Sequence, residues 1–144
     1  MKKLQSARDA LLNSPLGIKA KDLLTFAEKG TVVSHRGERN QNFAVTYTAH
    51  LIVTDFAGEP QDLLFILVRW LHADNPSAQP DAIKFHVDVI DHKKSDVSLA
   101  VELSEVIGVA EVEGGLSLDA QPDADALAIG MDTLFPDMPE SADA

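Results

Sequence analysis

The stretch YTAHLIVTDFAGEPQDLLFILVRWLHADN, residues 47–75, decides the fold of this chain. Its first part alternates strictly between apolar and polar residues, which is the pattern of a strand with one buried face. A short turn at residues 55–58 then leads directly into a helix that is apolar almost all round. Such a helix must be covered on more than one side, so we expect it to pack against a sheet and a further layer.

The residues before this stretch predict two helices and a short strand. Residues 4–13 have apolar side chains at helical spacing, and a following Ser-Pro pair ends that helix because proline lacks the backbone donor. A second helix is expected over residues 18–29, with Gly30 as its left-handed C-cap. Its expected buried side chains are Ile18, Leu23, Leu24, Phe26 and Ala27. A short strand at 31–34 and a polar turn at 37–42 follow.

The central strand and helix are predicted in more detail. The strand covers residues 43–54, about twice the usual length of ~5–6 residues. Its apolar face consists of Phe43, Val45, Tyr47, Ala49, Leu51 and Val53. The helix begins near Pro60, which the first helical turn tolerates, and ends at Asn75 before a second proline. The side chains expected to be buried on it are Leu64, Leu67, Val68 and Leu71.

The second half of the chain predicts two antiparallel hairpins. Alternating apolar residues at 83–89 and again at 97–103 are joined by a short polar turn. A last pair of strands flanks Gly114-Gly115, a dipeptide typical of a two-residue hairpin turn. The predicted fold class is α+β, a mostly antiparallel sheet of four to six strands with two to three helices packed on one face.

Charge divides the chain into a domain and a tail. The net charge is −11, and from Asp119 onward all seven charged side chains are acidic. Subtracting these seven from −11 leaves −4 for the first 118 residues. We expect residues 1–118 to form a single α+β domain and residues 119–144 an acidic, largely disordered tail, because few apolar side chains remain to offset the loss of chain entropy. The apolar patch at 127–135 is the part of the tail expected to dock.

Composition excludes several classes of function. The chain has no cysteine, which removes disulfides, thiolate catalysis and cysteine-based metal sites. No cluster of lysine and arginine forms a phosphate-neutralising face, so nucleic acid and anionic membranes are not expected partners. The first residues lack the apolar run of a secretory signal, and the longest apolar run, residues 63–68, is too short to span a bilayer. A cytosolic protein of a bacterium or a virus is therefore expected.

The residues with catalytic or metal-binding side chains form no recognisable site. The histidines are His35, His50, His72, His86 and His92. We expect His50 and His86 to approach each other only if their strands pair in register. Asp55, Asp88 and Asp91 are interpreted as turn and strand-end residues rather than a catalytic pair. Trp70 is expected to fill core space, and Arg69 to share a polar flank with Asp62. Catalytic residues, cofactor sites and metal sites are therefore predicted to be absent.

The sequence resembles a known family of phage proteins. The segment IVTDFAGEPQDLLFILVRWL at residues 52–71, followed by Asn75-Pro76, is similar to the tail completion protein R family of contractile-tailed bacteriophages. The register Leu-x-x-Ala-Arg-x-Ala-Leu at 4–11, the segment 23–31 and the later segment 85–116 follow the same plan. Together the resemblance covers most of residues 4–118.

The resemblance implies a structural protein that is no enzyme and has no known catalytic residues. It implies a tail-terminator-like fold and a ring, for which a hexamer is one candidate, at the head-proximal end of the tail tube. The long strand at 43–54 and the hairpin at 109–118 are the candidates for contact between subunits of such a ring. The implied partners are further copies of the chain, tail tube and sheath proteins, and neck or head completion proteins. The implied locations are the cytoplasm of the host bacterium during assembly and the virion tail, with a prophage as another source. The alternative is a cytosolic small-ligand-binding protein or an enzyme of unrecognised class.

Overall fold

A computed structural model describes residues 1–34 and 41–120 as an antiparallel sheet with two helices against one of its faces. The helices are α1 (Lys2–Leu12) and α2 (Pro60–Asp74). The strands are β1 (Leu23–Ser34), β2 (Phe43–Phe56), β3 (Ile83–Val89), β4 (Ser95–Val112) and β5 (Gly115–Ala120). A single 3₁₀ turn, Ala20–Asp22, precedes β1. The predicted α+β class is confirmed.

The two longest strands form the centre of the sheet. The order is β1-β2-β4-β3, every pair is antiparallel, and β5 pairs with the distal part of β4. Ile107 of β4 pairs with Phe43 of β2 and also with Ala120 of β5, so β5 lies on the same side of β4 as β3. The inner strands are therefore β2 and β4, whereas β1 lies at one edge of the sheet and β3 and β5 lie at the other.

The core lies between the sheet and the two helices. Alternate residues of β2 and β4 point into it, as the sequence pattern predicts. The buried strand residues include Tyr47, Ala49, Leu51, Val53, Val97, Leu99, Val101 and Leu103. The helices bury Ala7, Leu11, Leu63, Leu67, Trp70 and Leu71 against them. Among the residues predicted to be buried on α2, Leu67 and Leu71 are confirmed, while Leu64 and Val68 are half-buried at the sides of the helix.

Helix α2 is covered on only part of its circumference. Its buried residues follow the i, i+4, i+7, i+8 spacing of one helical face, and α1 packs beside it. Phe65 remains 59% exposed, with the Arg69 guanidinium 5.6 Å from the centroid of its ring. The sheet and α1 therefore cover the helix on two sides, as expected, and a cation–π contact covers part of the side that stays exposed.

The predicted second helix at residues 18–29 is wrong. After the 3₁₀ turn, the chain enters β1 at Leu23 and pairs with β2 over most of its length. Leu23 points into the core, but Leu24 is 58% exposed on the opposite face. Gly30 caps no helix and lies at a register shift between β1 and β2, where Lys29 has a φ of 57°. A helix here would leave one side of β2 without a hydrogen-bonding partner, so sheet pairing overrides the helical spacing.

The later strands confirm both predicted hairpins and lengthen one of them. Strand β4 is continuous over eighteen residues, whereas the sequence predicted two separate strands around residue 105. The turn between β4 and β5 consists of Glu113 and Gly114, because Gly115 already pairs with Val112. Gly114 has a φ of 87°, which explains the glycine at that position.

The structure describes the chain up to residue 120 apart from residues 35–40, and most of the predicted tail lies outside the described residues. Strand β5 continues to Ala120, two residues past the predicted end of the domain. The predicted turn at 37–42 mostly lies outside the described residues, as do His35 and residues 121–144 of the tail. The tail therefore stays a prediction. Among the described helices, none is long and apolar enough to cross a membrane.

Candidate assembly surfaces

The predicted histidines do not come together. His50 of β2 lies opposite Ala100 and His86 of β3 lies opposite Ser98, so β4 separates the two histidine strands. Each imidazole instead contacts a carboxylate on its own side of β4. His50 Nε2 lies 2.8 Å from Glu28 Oε1, and His86 Nε2 lies 2.9 Å from an aspartate of its own strand. Both pairs are on the solvent side of the sheet.

The predicted aspartates have local structural roles. Asp55 has a φ of 53° at a register shift between β2 and β4, and its N–H donates to Asp96 Oδ1 at 2.9 Å. Asp91 Oδ1 accepts the N–H groups of Lys93 and Lys94 at 2.7 and 2.9 Å, which shapes the turn between β3 and β4. Asp88 Oδ1 contacts the imidazole of His86 on the same strand. These carboxylates therefore act in turns and strand ends.

Metal removal should leave the stability of the protein unchanged. Within residues 1–34 and 41–120, no group of three or more potential ligand side chains is close enough to hold a metal ion. We expect the same melting temperature with and without EDTA, measured by circular dichroism after dialysis. A melting temperature that falls by several degrees in EDTA and recovers with added zinc or calcium would contradict this prediction.

A buried carboxylate holds the first turn of α1 against the sheet. Glu105 is 3% exposed and lies on the inward face of β4. Its Oε1 accepts the N–H of Lys2 and its Oε2 accepts the N–H of Lys3, both at 3.2 Å, and the Tyr47 hydroxyl also donates to Oε2. These N–H groups have no partner within the helix, and negative charge at a helix N-terminus is favourable. Glu105 therefore joins α1, β2 and β4.

The phenol of Tyr47 remains a donor in this cluster. Burial raises the pKa of Tyr47, and the hydrogen bond and charge of Glu105 raise that pKa further, whereas a backbone hydrogen bond from Leu4 has a smaller, opposite effect. The sequence analysis did not select Glu105. The alternation of β4 could have identified it. Glu105 follows Val97, Leu99, Val101 and Leu103 on the inward face of the strand, at a position where an apolar residue is expected.

A second polar cluster joins the two helices. Trp70 is 7% exposed, as predicted for a core residue, and its Nε1 donates to Ser6 Oγ at 2.8 Å. Ser6 Oγ in turn donates to Asp74 Oδ2 at 2.9 Å. Arg8 of α1 donates from Nη1 to the carbonyl oxygen of Leu23 at 2.8 Å, which ties the helix to the start of β1. Ser6 therefore joins α1 to α2, and Arg8 joins α1 to the sheet.

The open edges of the sheet are the first candidate contact surface. Within the described residues, β1 has one strand partner, β2, and β3 has one, β4. Strand β2 lies between β1 and β4, so the sequence-based candidate strand 43–54 presents no free edge. That candidate is wrong because the length of β2 serves pairing inside the subunit. No strand among residues 1–34 and 41–120 pairs with the outer edges of β1 and β3, so these edges are candidates for pairing with another chain.

The β4–β5 hairpin is the second candidate surface. Strand β2 begins opposite Ile107, so beyond that point β4 pairs only with β5 among the described strands. Val112, Leu116 and Leu118 are each at least half exposed on this two-stranded hairpin. Such a ribbon is only marginally stable alone in water. The predicted hairpin at 109–118 is therefore a projecting element with apolar contact area.

The outer face of the sheet carries a third exposed feature. The ring of Phe26 stacks on His50, with ring centroids 4.7 Å apart and an interplanar angle of 12°. Leu24 and Ile52 pair across the same face, beside this aromatic contact. The helices pack on the opposite face, so these side chains form an apolar strip at the β1 side of the sheet.

Open edges, a projecting hairpin and an exposed apolar strip are surfaces suited to contact with other chains. Comparison with known proteins agrees. The model of the P2 phage tail completion protein R (GpR) family matches residues 1–125. Tail completion protein R of Escherichia phage P2 is 30% identical in an alignment of 124 residues that covers 81% of this chain and 79% of that protein. No solved structure matches the chain.

The chain therefore belongs to the phage tail completion protein R family, which confirms the resemblance seen in residues 52–71. It is a structural component of the phage tail with a role in tail completion. Interaction with other tail components and a place in the virion tail follow from that role. Family membership does not favour the alternative of a small-ligand-binding protein or an enzyme.

Proposed function

We propose that this protein completes the tail by closing the head-proximal end of the tail tube as a ring and by presenting a surface to which the head joins. Membership of the tail completion protein R family is the observation that carries the proposal. The geometry of the subunit supports it, because the subunit has contact surfaces on opposite sides. The protein acts by binding other proteins and carries out no chemical reaction.

The arrangement of the strands supports a closed ring. Strand β1 lies at one edge of the sheet, and β3 and β5 lie at the other. A contact between two different surfaces of identical subunits is heterologous, and it produces a ring when its rotation closes. One edge of each subunit would meet the opposite edge of the next. A hexamer is the ring we propose, with the tail tube end as its template.

The β4–β5 hairpin supplies a contact that an isolated subunit leaves exposed. Its apolar side chains at positions 112, 116 and 118 gain about 25 cal/mol for each square ångström removed from water. Residues 107–120 carry three acids, Glu111, Glu113 and Asp119, and no base. The neighbour of this hairpin is therefore an apolar surface with basic residues at its rim, on an adjacent subunit or on the tube.

The proposed locations and partners follow from the order of assembly. The chain is made in the cytoplasm of the host bacterium, where it binds the finished tube and sheath, and it then remains in the virion tail. Neck or head completion proteins bind its other side. Nucleic acid and membranes are not partners in this proposal, because the chain carries twelve basic against twenty-three acidic residues without a basic cluster.

Deletion of the gene from its phage should stop assembly at the joining step. Electron microscopy of the lysates should show filled heads apart from tails, together with tails of abnormal length. Expression of the intact chain from a plasmid should restore infectious particles. A folded Leu116→Asp/Leu118→Asp chain should fail to restore them, because two charges on the hairpin oppose its burial. Normal infectious particles from the deletion would end the proposal.

A further inference from the structure

The outer edge of β3 has a defined hydrogen-bonding pattern. The N–H of Glu102 donates to the Ala82 carbonyl oxygen at 3.2 Å, and the N–H of Ile90 donates to the Lys94 carbonyl oxygen at 3.0 Å. The even-numbered residues of β3 lie between these two bonds and direct their main-chain groups to β4, because successive residues of an antiparallel strand alternate sides. The odd-numbered residues therefore direct theirs to the edge that no described strand covers. These residues are Ile83, Phe85, Val87 and Val89.

The outer edge of β1 has the same pattern. Since Glu102 faces β3, the odd-numbered residues of β4 face β2, and the alternation carries across β2 to β1. Leu23, Thr25 and Ala27 are consequently the residues at the start of β1 whose main-chain groups point away from β2. The carbonyl oxygen of Leu23 agrees with this direction, because it accepts a hydrogen bond from the Arg8 guanidinium at 2.8 Å.

The two edges match in direction and in length. Neighbouring strands alternate in direction along the order β1-β2-β4-β3, so β1 and β3 of one subunit are antiparallel to each other. Rotation about an axis along the strands preserves this relation, so β1 of one copy would meet β3 of the next as an antiparallel neighbour. Strand β1 pairs regularly over residues 23–28 before the register shift near Lys29, and residues 84–89 of β3 are a run of equal length. Aligning the two runs places residue 23 opposite residue 89 and residue 28 opposite residue 84.

Exposed apolar side chains on the helix face favour this register. Phe85 lies opposite the buried Leu99, so it points to the helix face, yet it is 58% exposed. Val89 lies on the same face and is 76% exposed. In this register Val89 lies opposite Leu23 of the next copy, and Phe85 lies opposite Ala27. The contact therefore removes apolar surface of both strands from water.

Charge on the solvent face favours the same register. Glu28 lies opposite Lys84, and these two side chains are 53% and 68% exposed. Glu28 already contacts an imidazole at 2.8 Å and Lys84 an aspartate at 3.9 Å, but a carboxylate and an ammonium group each make several hydrogen bonds. Opposite charges directly across two strands attract. Phe26 lies opposite His86, whereas a shift by two residues in either direction would place Lys84 or Asp88 opposite that ring.

We propose that residues 23–28 of β1 pair as an antiparallel strand with residues 84–89 of β3 in a second copy of this chain, with Glu28 opposite Lys84. The contact continues the sheet from one subunit to the next and covers both outer edges. Main-chain hydrogen bonds provide the attraction, and the paired side chains fix the register. This inference rests on the proposed ring and names the surfaces that join its subunits.

The absence of cysteine from the chain allows a direct test by disulfide cross-linking. Phe26→Cys/His86→Cys places cysteines in a pair that exchanges no main-chain hydrogen bonds, where the Cα atoms are ~4.5 Å apart and a disulfide can form. Within one subunit two strands separate these positions, a distance of ~14 Å at ~4.8 Å per strand, so every disulfide joins two copies. Oxidation of purified tails that carry this variant should give a ladder of multimers on a non-reducing gel.

Phe26→Cys/Lys84→Cys and Phe26→Cys/Asp88→Cys are the matched controls. Each moves one cysteine by two residues, to a diagonal separation of ~7–8 Å, and should cross-link about tenfold less. Oxidation of the concentrated, purified chain gives the same comparison without the tail. In that sample, adding Glu28→Lys to the 26/86 variant should lower the cross-linked fraction about fivefold, and adding Lys84→Glu as well should restore it.

The outcomes separate this contact from the role in the tail. Tails that contain the chain but show no ladder, or equal ladders in all three variants, would overturn the contact and leave tail completion intact. Cross-linking by Phe26→Cys alone would also overturn it, because β1 would then pair with β1 of another copy. If the unaltered chain is absent from purified tails, the proposed function fails, and the concentrated protein alone decides the contact. A ladder confined to the 26/86 variant supports it.

Discussion

Leu67→Asp should abolish folded protein. Leu67 is fully buried between α2 and the sheet, and burial of a leucine side chain contributes about 1.5–3 kcal/mol. The aspartate would lose this contribution and place an unpaired carboxylate in an apolar core. The two effects together approach the whole free energy of unfolding of a typical domain, about 5–15 kcal/mol. We expect insoluble protein, or a circular dichroism spectrum without a cooperative unfolding transition.

Phe65→Asp is the matched control on the same helix. Phe65 is 59% exposed and contacts the Arg69 guanidinium, so an aspartate there stays in water and lies one turn from a positive charge. Its free energy of unfolding should stay within about 1 kcal/mol of the unaltered value. A soluble, cooperatively unfolding Leu67→Asp protein would show that α2 does not form the core described above.

Glu105→Ala should destabilise the protein by about 3 kcal/mol or more. The substitution leaves the buried hydroxyl of Tyr47 without its acceptor, which costs about 1–3 kcal/mol, and it also removes the charged acceptor of the partly buried N–H groups of Lys2 and Lys3. Urea unfolding followed by circular dichroism measures the change. The same variant should lose amide protection in α1 first, since Glu105 holds the first turn of that helix.

Glu102→Ala is the control for this carboxylate. Glu102 lies on the solvent face of the same strand and accepts one exposed hydroxyl, so its loss should change stability by less than about 0.5 kcal/mol. In the Glu105→Ala background, Tyr47→Phe removes a donor that has lost its acceptor. The double variant should therefore be more stable than the sum of the two single effects predicts. Equal, small effects of Glu105→Ala and Glu102→Ala would contradict the role assigned to the buried acid.

Strand β2 and helix α2 could be predicted from the sequence because their local sequence preferences favour the same structure as their packing in the core. Strict alternation in β2, the proline at the start of α2 and the continuous apolar run of that helix all predict the elements observed. The two hairpins follow from short polar or glycine-containing connections. At these places the side chains that favour an element locally are also those that the core buries.

The predictions fail where pairing across the sheet decides the outcome. Residues 23–29 have helical apolar spacing, but β2 needs a partner along its whole length, so this segment becomes a strand. Residues 104–108 were predicted to interrupt β4, but the strand continues because β2 pairs with it as far as Ile107 and β5 pairs with it from Ile107 onward. No pattern within a single segment contains this information, since the residues of β2 that pair with these two segments lie 20 to 64 residues away along the chain.

The contact surfaces are only partly readable from the sequence. The hairpin at 109–118 is predicted because its glycines mark a turn, and its exposed leucines are then evident. Glu105 is missed because the sequence does not show that the first turn of α1 lies over this inward position and donates hydrogen bonds to the carboxylate. Residues 43–54 are mistaken for a contact strand, because length alone does not reveal how many neighbours a strand has inside the subunit.

The position of the protein in the finished particle tests the capping role most directly. A peptide tag on the chain, placed before α1 or after the last residue in separate phages, allows gold labelling of purified virions for electron microscopy. The account predicts label only at the junction between head and tail, and label on the head-proximal end of tails from a phage that makes no heads. Label along the tube or at the baseplate would contradict it.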